Sequence, residues 1–215
     1  MEVMEKGGAI FVDAGQAVHV SFVVMTQDAS QGAPLRKALL QIMEQVPLAS
    51  DEQRHWLDQL RGDRSSTIDF SGLSRLDIRA QCAMVTQAVR TKLPDAERWV
   101  LQAKYGHTDF EDQNGTRRFA FSAERIAAIQ GLAEWLQPLF PQLNRLALDC
   151  MLGRLFANHR KIDISARDLA RAFGGNHTQY LRASTKMKEH LRALEAQALA
   201  RLDPYFSQHG LVAAK

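Results

Sequence analysis

Apolar positions along this chain follow two rhythms. Near the N-terminus the rhythm is two: Val18, Val20, Phe22 and Val24 occupy alternate positions, after an apolar run from Ala9 to Val12 and a turn-like Asp13-Ala14-Gly15-Gln16. Alternation places every second side chain on one face of a strand, so the pattern predicts a short N-terminal β-hairpin. A lone hairpin is marginal in water and needs helices or another chain to pack on. Beyond a turn-rich connector from Thr26 to Pro34 the rhythm becomes helical. Leu35, Leu39, Ile42, Met43 and Val46 share one helical face, and Ser50 with Gln53 forms a capping box for a short helix through Leu60. Gly62 to Gly72 is a polar break. Ile78, Cys82, Val85 and Val89 then make a stripe that ends before Pro94, and Asp95 to Tyr105 reads as a helix closed by Gly106.

The next segment, His107 to Thr116, reads as an acidic loop carrying Asp109, Glu111 and Asp112 with an Asn114-Gly115 turn. It lacks the glycine and closing glutamate positions of a calcium loop. Arg117 to Phe121 fits a short strand. Ser122 caps a helix carrying Ile126, Ile129, Leu132 and Leu136 that stops at Pro138. Leu143 to Phe156 is strongly apolar and is expected to be the most buried helix. The reading is a mostly α fold: a helical bundle with a C-terminal helix-turn-helix and that N-terminal hairpin. Its organisation is a helical region with the hairpin over 1–106, the acidic loop over 107–121, and a C-terminal helical region over 122–215.

The helix-turn-helix is expected at 165–200. Ser165 and Asp168 form a capping box for a short helix with Leu169, Ala170 and Phe173 as apolar points. Gly174 and Gly175 permit the positive φ that ends a helix and turns the chain. Asn176 or Thr178 can cap the next helix, which buries Tyr180, Ala183, Met187, Leu191 and Leu194 at helical spacing and ends near Asp203-Pro204. Ala170 is small where the helices cross. The outer face of the second helix offers His177, Thr178, Gln179, Arg182, Lys186 and Lys188, side chains suited to base edges and phosphates. Arg167 and Arg171 on the first helix complete the candidate DNA-contacting set.

Charge sharpens this picture. The chain carries only +3 over 215 residues, but nine basic residues face three acidic ones between Arg154 and Arg192, a surplus of six. The remainder is therefore net acidic, and no acidic residue occurs from Gly174 to Lys188. A basic module on a near-neutral body is the footprint of a nucleic-acid reader.

The segment DLARAFGGNHTQYLRASTKMKEHLR is similar to the DNA-reading helix-turn-helix of bacterial sigma factor region 4, over about 35 of the 215 residues. Leu169-Ala170, Phe173-Gly174, Tyr180, Ala183, Lys186 and Leu191 fall on that pattern, and the second glycine departs from the apolar turn residue usual there. The resemblance implies that His177, Thr178, Gln179, Leu181 and Arg182 face the DNA groove. No other sigma element is visible. In size, helical content and placement of the motif, the chain also resembles the phage Q-type late-gene antitermination proteins. That likeness implies binding to a promoter-proximal DNA element and loading onto RNA polymerase to read through terminators. The N-terminal hairpin and middle helices would then contact polymerase or a second copy of the chain.

Other chemistry finds little footing. The chain has no G-x-S-x-G, P-loop or G-x-G-x-x-G, and its seven histidines are scattered. His159 with Asp163 reads as a capping or phosphate-contacting pair, and His107 with Asp109 lacks metal-ligand spacing. Trp56, Trp99 and Trp135 fall on apolar faces and read as core. The two cysteines, Cys82 and Cys150, form no paired motif, which fits a reducing cytosol. No signal peptide or membrane span is evident. The expectation is a cytoplasmic, non-catalytic transcription regulator without cofactor or metal, acting on double-stranded DNA with RNA polymerase and with scope for self-association. The alternatives are a conventional dimeric activator or repressor that pairs through the N-terminal hairpin, and a helical protein–protein adaptor.

Overall fold

The computed structural model describes residues 9–26, 68–70, 72–113, 116–157 and 164–213. The helices expected on Leu35 to Val46 and after Ser50 lie outside them. So do Trp56, His159, Arg160, Lys161, Asp163 and the Asn114-Gly115 turn. The described residues are mostly helical: α1 (Ala14–Met25), α2 (Arg75–Lys92), α3 (Asp95–Tyr105), α4 (Ala123–Leu136), α5 (Arg145–Phe156), α6 (Ala166–Phe173) and α7 (His177–Gln208). Two strands, β1 (Thr108–Gln113) and β2 (Thr116–Phe121), pair antiparallel between α3 and α4. Two compact units emerge, one from 9–26, 68–93 and 199–213, the other from 94–198. The 107–121 segment lies inside the second.

In the first unit, the expected N-terminal hairpin is instead α1. Asp13, read as part of a turn, is its N-cap: the carboxylate accepts from the Gln16 backbone N–H at 2.8 Å, and the Gln16 side chain accepts from Val12 N–H at 2.9 Å. Ten of the twelve residues of α1 are buried, Gln16, His19 and Ser21 among them. The alternation misled because the intervening polar residues do not face water. A helix enclosed on all sides has no polar stripe to reveal its period. The four valines oppose a helix by about half a kcal/mol each. Burying an apolar side chain of that size returns roughly 1.5–3 kcal/mol, so tertiary packing wins. The covering element is α2, started by a reciprocal Ser74–Asp77 capping box and burying the expected Ile78, Cys82, Val85 and Val89. Residues 10 and 11 are extended, but they pair with Asp69 and with the C-terminal Leu211–Val212 segment: Phe11 N–H donates to Leu211 O at 2.8 Å.

In the second unit, α4 packs against α3 and α5. Gly131 of α4 makes one close approach possible: a Cβ there would sit 2.6 Å from the indole of Trp99. Ser122 caps α4 as expected, but the buried stripe is Arg125, Ile129, Leu132 and Leu136, and Ile126 is 44% exposed. Arg125 takes the inner place because its guanidinium bonds the backbone of two neighbours. It donates to Ala103 O at 2.7 Å, Phe156 O at 2.9 Å and Thr108 Oγ1 at 2.9 Å, and stacks on the Phe121 ring. Burial pushes its pKa down to about 10, which leaves it charged at neutral pH.

Three more expectations change in this unit. The acidic stretch is a strand rather than a loop, in a register that sets Glu111 opposite Arg118 and Asp112 opposite Arg117. The apolar helix is α5, which buries five of its twelve residues and leaves Leu146 61% exposed. Trp135 is 38% exposed, off the core face.

Candidate nucleic-acid interface

The expected pair of helices is present as α6 and α7. Ser165 and Asp168 form the reciprocal capping box at the start of α6: Ser165 Oγ accepts from Asp168 N–H, and the Asp168 carboxylate accepts from Ser165 N–H. The Ser165 hydroxyl, which donates to the Asp168 carboxylate, and then the Ser165 backbone N–H hold that carboxyl below its ordinary pKa. Leu169 is buried, while Ala170 and Phe173 are half-buried.

The turn uses both glycines. Gly174 and Gly175 have φ of 83° and 82°, a region that disfavours any residue with a Cβ. The second glycine thus has a backbone cause. Asn176 is the residue that caps α7, with Oδ1 accepting from Gln179 N–H at 2.9 Å. Tyr180 folds back on the turn, its hydroxyl donating to Gly174 O at 3.0 Å.

Tyr180, Ala183, Met187, Leu191, Leu194 and Ala198 make a continuous buried stripe on α7. Within the second unit Glu195 ties the helix to α3: its carboxylate lies 2.7 and 2.9 Å from Lys104 Nζ and accepts from Tyr105 OH at 2.7 Å. The helix passes through Pro204, where an end was expected, and runs to Gln208. Burial of Leu202 and Phe206 offsets the hydrogen bond that proline cannot make.

Opposite the stripe, Asn176, His177, Thr178, Arg182, Lys186 and Lys188 are exposed and Gln179 is half-buried. Arg167 and Arg171 are exposed on α6, with Arg171 3.4 Å from Asp168. The candidate residues divide. Asn176, Thr178, Gln179, Arg182 and Lys186 line one open groove of about 860 Å³ beside α7; Arg167, Arg171, His177 and Lys188 lie outside it. The far wall of the groove is the stretch from Leu139 to Gln142. That stretch is steadied by Gln137 Nε2 donating to Leu143 O at 2.8 Å, and by the near-perpendicular rings of Phe140 and His190, whose centroids lie 6.4 Å apart. Thr185, Glu189 and Gln142 also line the groove, and the sequence reading did not include them. Thr185 and Glu189 follow Arg182 at i+3 and i+7, a helical spacing that marks them as its neighbours. Nothing in the local sequence marks Gln142.

The cysteines offer no activated thiolate. Burial pushes Cys82 up to about 11, and burial with the Asp149 charge raises Cys150. Among the described residues no group of three or more His, Cys, Asp or Glu side chains is arranged to hold a metal ion, and no helix is long and apolar enough to cross a membrane. No family model matches the chain, and no curated protein is similar to it.

Proposed function

We propose that the chain is a DNA-binding transcription regulator whose α7 enters the major groove. Its specific role on this reading is that of a Q-like antiterminator, which binds a promoter-proximal element and loads onto RNA polymerase. The observation that carries the reading is the acid-free run from Gly174 to Lys188, displayed on the outer side of a helix whose inner side is buried. Arg182, Lys186 and Lys188 hold phosphates or bases, Thr178 and Gln179 meet base edges, and Arg167 and Arg171 add phosphate contacts from α6. Asn176 shapes the site by capping. The mechanism is non-catalytic.

Affinity for duplex DNA should fall steeply with salt, and Arg182→Ala and Lys186→Ala should each reduce the salt slope by about one. Binding that ignores both substitutions sinks the assignment. With purified polymerase, an antiterminator lengthens transcripts past a terminator, whereas an ordinary activator or repressor changes only the frequency of initiation. The dimeric version of that alternative loses its hairpin, because residues 14–25 form α1. One observation favours the protein–protein adaptor: Leu181 is 51% exposed amid the outward polar residues. An adaptor would bind its partner with little salt dependence and would not retain DNA.

A further inference from the structure

We infer that the groove between α7 and the Leu139–Gln142 stretch takes one sugar-phosphate strand of duplex DNA. On this inference the DNA surface reaches beyond the helix pair onto Gln142, with Glu189 closing one end; it rests on the DNA-binding reading above. Three observations support it. First, the α7 wall is cationic and rich in neutral donors: Arg182 and Lys186 stand one helical turn apart, with Thr178, Gln179 and Thr185 around them. That is the chemistry of phosphate and sugar contacts, where cations supply affinity and hydroxyls and amides fix position.

Second, the opposite wall is uncharged. It offers the exposed Gln142 amide and Leu139, which is 48% exposed. An amide suits a phosphate oxygen, and an aliphatic side chain suits the apolar face of a deoxyribose. Third, Thr178, Gln179, Arg182 and Lys186 line the groove and all belong to the acid-free run from Gly174 to Lys188, so a strand laid in it stays against that run. Glu189 is the acid lining this groove, and it is exposed. Beside a phosphate it repels.

The test uses the full chain and a fluorescently labelled random-sequence duplex at low salt. Gln142→Glu, which sets a negative charge on the far wall, should weaken binding about tenfold; Gln142→Ala should weaken it about twofold; Glu189→Gln should tighten it about threefold, all with unchanged thermal unfolding. If Arg182→Ala weakens binding while the Gln142 and Glu189 variants match the parent chain, the groove inference is overturned and the DNA reading stands. If the parent chain does not bind the duplex, both fall. If a polyglutamate peptide binds in a Gln142→Glu-sensitive way while duplex binding ignores that change, the groove holds an acidic peptide and the inference is overturned.

Discussion

Arg125 and Arg182 carry the same guanidinium in two different settings of the second unit. Arg125 is 6% exposed at the junction of α3, α4, α5 and the strand pair, with three hydrogen-bond acceptors around it. Arg182 is exposed on α7, and among the described residues no hydrogen bond or ion pair holds it. A buried cation that satisfies backbone carbonyls is part of the framework, because its removal leaves those carbonyls without water or partner. An exposed cation without a partner costs the fold little and is available to an anion. Basic charge therefore divides by setting: Arg125 is built into the frame, and the outer side of α7 keeps Arg182, Lys186 and Lys188 exposed.

The contrast is sharpest in stability. Arg125→Leu should lose about 3 kcal/mol or more, since two carbonyls and a hydroxyl are orphaned at roughly 1–3 kcal/mol each. Urea unfolding reads this directly as a lower midpoint. Arg125→Lys should recover little, because one ammonium cannot reproduce a three-way fork. A near-parental midpoint for Arg125→Leu would erase the distinction between the two regions.

Gly131→Ala comes next. Its new Cβ meets the Trp99 indole at 2.6 Å, and such overpacking costs about 1–3 kcal/mol. A lower melting temperature together with altered tryptophan emission is the expected signature. An unchanged melting curve would mean that α3 and α4 are not packed this closely.

Ser165→Ala moves the comparison to the edge of the candidate interface. Losing the cap should cost about 1 kcal/mol. The effect should depend on pH with a definite sign. The Ser165 hydroxyl and backbone N–H hold the Asp168 carboxyl below its ordinary value. The folded state then binds fewer protons than the unfolded one as pH falls toward that value. The stabilisation is full above the unfolded pKa, near 4, and is lost as pH falls through the lower folded pKa. The parent and Ser165→Ala stabilities should therefore converge in acid; curves that stay parallel down to pH ~2 would contradict the capping bond.

The smallest stability effect is expected from Arg182→Ala, within about 0.5 kcal/mol, since it is a surface change that breaks no bond within the described residues. Its effect should appear in DNA affinity instead. A large loss of stability would move Arg182 into the framework class and weaken the case for a free cationic face.

Parts of this architecture were legible in the sequence because they depend on neighbours three or four residues apart. The Ser165–Asp168 box, the Ser122 and Asn176 caps, the glycine turn and the Tyr180-to-Leu194 stripe are all of this kind. Other parts were not. Ile126 and Arg125 are adjacent, and hydrophobicity alone picks Ile126 for the inside; the carbonyls of Ala103 and Phe156 that draw Arg125 inward lie far along the chain. Groove residue Gln142 was missed for a similar reason, since it meets α7 only through the fold.

What the amino-acid order determined by itself is where α3, α4, α6 and α7 begin, where the chain turns at Gly174-Gly175, and which side of α7 stays polar. Caps, positive-φ glycines and i+3, i+4 stripes act within a turn or two of helix, so their energies are written locally. Only the tertiary structure decided that Val18 to Val24 is helix, that the acidic stretch is strand, and that Arg125 is framework while Arg182 faces outward. Those outcomes turn on enclosure and on distant partners. Burial worth several kcal/mol overrides local preferences of a few tenths.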